Sequence, residues 1–374
     1  MSRIRFLLVW CFLLVLTSPP AHAAGARDGA ICPPTDPGVM RCLARMRPGA
    51  TMSARRPYGL SPSAIKSAYG FPTGLTAGEG RTIAIVSAYN APHVEGDLSV
   101  FSRQYGLPSC TTANRCFLKV SQTGSTSTYP RSDAGWALET SMDVEWAHAI
   151  APGADILLVE ANTPAITNLL KAEDYARRHA QYVSNSWGGS ELSNERTYDG
   201  HFAQSGVSVF VASGDDGLGA EYPSSSPAVI SVGGTTLSGV GTPALKETGW
   251  SGSGGGCSHF ESARTEQLHF GSYSTTGCAG KRATPDVSLD ADPTSGVSVY
   301  DSTPYQGSYG WYALGGTSAA TPMWAGRAAV SGAIVDSKYV YGRTIRFRDI
   351  TSGDNGASCH VGFDLVTGRG SWTG

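Results

Sequence analysis

Short, largely apolar runs alternate along the chain with longer stretches of helical period. Thr82 to Val86, Asp155 to Glu160 (DILLVE), Val207 to Ala212 (VSVFVA) and Val229 to Val232 are mostly apolar and β-branched, and the more polar Tyr182 to Ser186 also reads as a strand. That is the pattern of strands covered on both faces. Between them, Pro92 to Tyr105, Ala134 to Ile150, Thr167 to Gln181 and Tyr198 to Ser205 read as helices. Ser61 to Tyr69 reads as an earlier helix opened by a serine cap. Strands alternating with helices predict an α/β fold: a doubly wound parallel sheet with helices on both faces. Sites in such sheets gather at the carboxyl ends of the strands. Residues 236–313 are richer in loops, with a strand signal at Gly296 to Tyr300.

Composition narrows the class. The 374 residues include 47 Gly and 21 Pro, and only 16% are charged. The glycine excess has no G-x-y period, which excludes collagen, and Gly and Pro together exclude a heptad rod. Abundant β-branched and aromatic residues exclude a disordered chain. A net charge of -2 argues against a nucleic-acid partner, which would call for clustered Lys and Arg.

The N-terminus has the form of an export signal. Arg3 and Arg5 precede an apolar run from Phe6 to Leu16, and Ala21-His22-Ala23 offers small residues at the cleavage positions. The run is too short to cross a bilayer, which takes about 20 residues; a membrane anchor is the alternative reading. Export predicts an extracellular or periplasmic protein, and cysteine usage agrees. Spacing suggests pairs 32–42, 110–116 and 257–278, with Cys359 left over. A metal site is the other reading, but the chain has no C-x2-C pair. The chain divides into a signal at 1–23, a polar Arg-rich pro-segment or extension at 24–56, outside the core, and one domain at 57–374.

Gly315-Gly316-Thr317-Ser318 precedes a helical run through Val330. The glycines allow a sharp turn, and the helix N-terminus favours negative charge at the serine, as a nucleophile needs. A serine there can also be a plain cap. The stretch resembles the G-T-S-x-x-x-P-x-x-x-G signature of the subtilisin-like superfamily. That superfamily's histidine and aspartate have no match here. No Asp follows the first strand, and no His stands before Gly-Thr.

The Ala134–Ile150 helix supplies another base. Glu139 and Asp143 are four residues apart, on one face of an otherwise apolar helix. Buried together, they would share a proton. Such a pair can take a proton from serine and return it to a leaving amine; a solvated face is the alternative. Glu139-Thr-Ser-Met-Asp143, Ala151-Pro152-Gly153-Ala154 and Ser318 resemble the sedolisins, or serine-carboxyl peptidases. The resemblance spans about residues 57–371. It implies Glu139 as general base and acid, Asp143 as its orienting partner and Ser318 as nucleophile. Asp215, in Ser213-Gly214-Asp215-Asp216-Gly217, matches the family's oxyanion aspartate. Register favours it over Asp216. A protonated Asp215 could donate to an oxyanion where a carboxylate would repel it. Ser251 to Gly256 resembles the glycine-rich segment beside the family's cleft, and its other reading is a surface loop.

The resemblance further implies calcium, a hard cation that takes six or more oxygens. Its ligands would be the carboxylates of Asp349 and Asp364 and the carbonyls of Ile350, His360 and Gly362. His360 stands where the family has glycine. Together these readings predict an exported, acid-acting, monomeric endopeptidase with polypeptide substrates. The rivals are an inactive binding protein on the same fold and a lipase. The lipase rival lacks the last glycine of G-x-S-x-G after Ser318.

Overall fold

In the computed structural model the described residues are 29–47, 53, 56–342 and 347–373. The export signal read at 1–23 lies outside them. Seven strands form a parallel run in the order 117–121, 155–161, 82–88, 182–185, 208–212, 230–238, 287–290. Ser371–Trp372 adds in parallel beyond 287–290, and Phe347–Arg348 closes that edge antiparallel. Lys246–Gly249 pairs antiparallel with 230–238. Ile83, Ala84, Ile85 and Val86 are all fully buried, so both faces of the sheet are covered. The doubly wound α/β reading holds.

Two helices meet beside the central strands and place the site. Ala134–Ile150 starts at a cap where Asp133 accepts N–H donors from Gly135 and Trp136, both at 3.1 Å. Its residues from Gly135 to Ile150 are buried on every side, as for a helix passing through a core. Thr317–Ser331 packs against it and against the strands 182–185 and 208–212.

Three disulfides join Cys32 to Cys42, Cys110 to Cys116 and Cys257 to Cys278, and Cys359 is free and buried. These are the pairs that the spacing suggested. Two readings differ from the structure. Tyr198 to Ser205 forms no α-helix. Glu195–Thr197 and Asp199–His201 make separate 3-10 turns, because Gly200 and Gly206 leave too few residues to nucleate a helix. Residues 29–47 do not lie outside the core. Ile31, Cys32, Met40, Cys42, Leu43 and Ala44 are all buried, and the segment makes two strands against the rest of the protein. Its arginines look solvated in sequence, yet Arg41 and Arg45 turn inward to carboxylates some 170 positions or more away.

Candidate active site

Ser318 is the second residue of its helix and is fully buried. The strand Ser308–Gly315 delivers the chain to Gly316, whose φ of +92° no ordinary side chain adopts readily. That turn sets the hydroxyl at the helix N-terminus, where backbone N–H groups are left without helical partners. Ser318 Oγ donates a long hydrogen bond to the Ser186 carbonyl at 3.3 Å.

Glu139 and Asp143 reach the same place from the crossing helix, and both are 0% exposed. Burial and the neighbouring charge of Asp143 hold the Glu139 carboxyl well above the usual carboxylate range. The Ser318 hydroxyl and the Ala44 N–H approach Glu139 and favour its ionised form. Neither closes a hydrogen bond, so both Glu139 oxygens stand without a partner. Asp143 Oδ1 accepts the Ser186 hydroxyl at 2.7 Å, and Oδ2 has no partner. Burial raises Asp143 well above its ordinary value too, against that hydrogen bond. Unpartnered buried carboxylate oxygens are costly, and protons on the pair relieve them. Among the described residues, no histidine side chain bonds to Ser318, Glu139 or Asp143.

Asp215 follows the strand Ser208–Ala212, at the carboxyl end of the sheet as expected. Its Oδ1 accepts the Thr317 N–H and the Thr317 hydroxyl, both at 2.8 Å, which locks it beside Ser318. Burial raises it to about 6, while Arg45, Thr317 and Arg41 pull it down. Asp216 points the other way, largely exposed, and pairs with Arg41 and with Arg45 at 2.5 Å. Of the two, it is thus Asp215 that bonds to Thr317, next to Ser318 in the chain.

Several site residues carried no role in the sequence reading. Ser186 bridges Asp143 and the Ser318 carbonyl, at 2.7 and 3.4 Å. Arg41 Nη2 lies 2.9 Å from Glu221 Oε1, and burial raises Glu221 to about 7 against that partner. Arg45 Nε lies 3.4 Å from Asp215 Oδ2. The Leu43 carbonyl comes so close to Gly316 that a methyl group there would sit 2.0 Å from its oxygen and 2.6 Å from Asp215 Oδ2. In the sequence Ser186 stands only at the end of a strand signal, and the arginines only in an Arg-rich tract. Ser251 to Gly256 backs the Asp215 loop: Gly254 N–H donates to the Gly214 carbonyl at 2.8 Å, and Gly217 N–H to Gly252 at 3.1 Å.

The remaining predicted residues form a separate loop. Gly362 N–H donates to Asp349 Oδ2 at 2.9 Å, and His360 N–H to Asp364 Oδ2 at 3.3 Å. Val366 and Thr367 N–H groups occupy Asp364 Oδ1. Of the two backbone positions only Gly362 has a positive φ, +94°, so histidine at 360 is unstrained. Asp349 and Asp364 thus meet the 360–362 backbone in one loop, through its N–H groups, and of these contacts the two carboxylates are oxygens of the kind calcium takes.

Residues 133–342, more than half of the chain, match the Subtilase family. The chain is 29% identical to kumamolisin of Bacillus sp. over 369 residues, which cover 86% of this chain and 63% of that protein. It is 27% identical to xanthomonalisin of Xanthomonas sp., over 83% of this chain and 45% of that one. The chain thus spans less than two thirds of the length of either relative. A solved structure of Pseudomonas sedolisin, a serine-carboxyl proteinase complexed with pseudo-iodotyrostatin, superposes with a TM-score of 0.71 at 26% identity. The match covers 84% of this chain and 96% of that one. With that match, and with helix carboxylates rather than an imidazole beside its serine, the chain belongs to the subtilase family, on its sedolisin branch.

Proposed function

We propose that the protein is an exported serine-carboxyl endopeptidase that works in acid and passes through an acyl-enzyme on Ser318. The observation that carries this reading is the burial of Ser318, Glu139, Asp143 and Asp215 in one site, reached from two helices and one strand end. Glu139 takes the Ser318 proton as Oγ attacks the substrate carbonyl, then returns it to the leaving amine. Asp143, fixed by Ser186, orients Glu139 and keeps a proton on the pair. Asp215 is neutral in acid and donates to the oxyanion. Losing such a donor costs about 10² to 10³ in rate.

A calcium ion held by Asp349, Asp364 and the carbonyls of Ile350, His360 and Gly362 would supply structure, tying the C-terminal loops together. The test of function is hydrolysis of an unfolded protein in acid: Ser318→Ala should lose all activity while keeping its fold. Full activity in that variant would overturn the reading.

A further inference from the structure

The helix Ala134–Ile150 carries, near its C-terminal end, an imidazole that the catalytic site does not use. His148 is fully buried. Its Nε2 lies 3.0 Å from the Pro108 carbonyl, which only accepts, so Nε2 carries the ring proton and Nδ1 keeps a lone pair. Nδ1 has no hydrogen-bond partner. Burial holds the ring below its ordinary value, against the Pro108 bond and with the Lys66 charge, so it is neutral. A neutral ring fixed by a carbonyl on one nitrogen is the form in which histidine binds metal. The fold brings a cysteine pair to it. Cys110 and Cys116 form a disulfide beside His148, and both sulfurs lie within 4.8 Å of a ring nitrogen. Two sulfurs and an imidazole are three of the four ligands of a zinc site. The sequence hides the set, because the histidine stands on a different element from the cysteines.

This arrangement does not depend on the sulfur–sulfur bond. Asn114 Oδ1 accepts the Thr111 N–H at 3.0 Å and the Cys116 N–H at 3.1 Å, and Phe117 N–H donates to the Thr111 carbonyl at 3.2 Å. Ile156 N–H ties the Cys116 carbonyl to the sheet at 2.7 Å. On the other side Pro108 is tied to His148 itself. The two cysteines are 6 positions apart, and short loops gain least from being closed. Opening the disulfide therefore leaves both sulfurs beside the ring. Thr112 to Arg115 are exposed, so the loop has room to let the sulfurs part to the roughly 3.8 Å that tetrahedral zinc asks.

We infer that Cys110, Cys116 and His148 form a zinc site once a dithiol has reduced the disulfide, with water as the fourth ligand. The inference stands apart from the peptidase reading. A thiolate of the dithiol attacks the Cys116 sulfur, the less buried of the two. The bond to Cys110 breaks, and its electron pair stays on the Cys110 sulfur. The reagent's second sulfur then attacks its first, releasing Cys116. The reagent leaves as a cyclic disulfide, oxidised by two electrons, and its two protons end on the two cysteines. Zinc displaces one proton from each thiol into water. Two thiolates, a neutral ring and Zn²⁺ sum to no net charge, as a buried site requires. The metal then ties the 108–117 loop to the helix, as the disulfide does in the oxidised protein.

The full-length protein, carrying Ser318→Ala so that no proteolysis intrudes, is reduced with a dithiol at neutral pH. It is freed of the reagent without oxygen and titrated with zinc. The Cys110→Ser/Cys116→Ser and His148→Asn variants are treated alongside in the same background, with circular dichroism before and after reduction. The reduced parent should bind one more zinc per chain than the double-serine variant, which keeps every other thiol. Zinc should shield Cys110 and Cys116 together from alkylation, read by peptide mass. His148→Asn should bind at least about tenfold more weakly. Because that variant empties a buried position, X-ray absorption at the zinc edge of the loaded parent reads the ligands directly. Two sulfurs and one imidazole are expected. Equal zinc uptake by parent and double variant, no shielding of the two thiols, or a zinc shell without imidazole overturns the assignment. So does a parent that unfolds on reduction and is not held by zinc.

Discussion

Replacing Asp215 with asparagine exchanges a donor that depends on a proton for one that does not. Asp215 is raised to about 6 by burial, against Arg45, Thr317 and Arg41. At that value about 99% of the side chain is protonated at pH 4 and about 9% at pH 7. Ionised, it repels the oxyanion, so the wild type loses about tenfold in rate from this group alone by pH 7. In the variant, the asparagine oxygen can keep the bonds to Thr317 N–H and hydroxyl. Its amide nitrogen then replaces Oδ2, the oxygen beside the Leu43 carbonyl. The assay is kcat/KM on one peptide from pH 3 to 8. Glu139 and Asp143 titrate in both proteins, so the variant-to-wild-type ratio isolates position 215. It should rise about tenfold between pH 4 and pH 7. Asp215→Ala should instead lose about 10² to 10³ already at pH 4. A ratio that does not change with pH would refute the neutral-donor argument.

Other predictions concern the fold as much as the chemistry. Glu173, fully buried with no partner on either oxygen, is raised by burial to about 8, against Asn185 and Arg177. The folded state therefore binds the extra proton between pH 4.5 and 8, and stability falls as pH rises through that window. In a Ser318→Ala background, Glu173→Gln should recover about 3 kcal/mol at pH 7 and almost nothing at pH 4, read by thermal unfolding; equal effects at both would contradict it. Gly316→Ala should abolish peptide cleavage while the protein still folds, since the new methyl meets Asp215 Oδ2; retained activity would count against Asp215 as the oxyanion donor. Calcium at a hundredfold excess over its Kd should stabilise the protein by about 2.7 kcal/mol, and Asp364→Asn should remove that gain. A calcium-independent melting curve would dismiss the ion.

How much was legible in the sequence follows from the range of each interaction. The strand Thr82–Ala88 and the helix Ala134–Ile150 carry their signals in consecutive residues, and both stand where the pattern placed them. Glu139 and Asp143 could be found because one helical turn joins them, and Ser318 because its glycines and helix are contiguous with it. Arg41, Arg45 and Glu221 could not, since each has meaning only beside a residue far along the chain. A basic tract reads as solvated until its carboxylates are placed, which is why 24–56 read as lying outside the core. Tyr198 to Ser205 misled for the opposite reason: a local apolar spacing was present, but glycine broke the helix it suggested.

The central claim is that the Ser318 proton goes to the Glu139–Asp143 pair. The pH profile of kcat/KM for the wild type and Glu139→Gln on one peptide tests it most directly. Activity that peaks in acid, with a loss of about 10² to 10⁴ in the variant, is the predicted result. A wild type whose rate climbs towards neutral pH, with Glu139→Gln as fast as its parent, would contradict it.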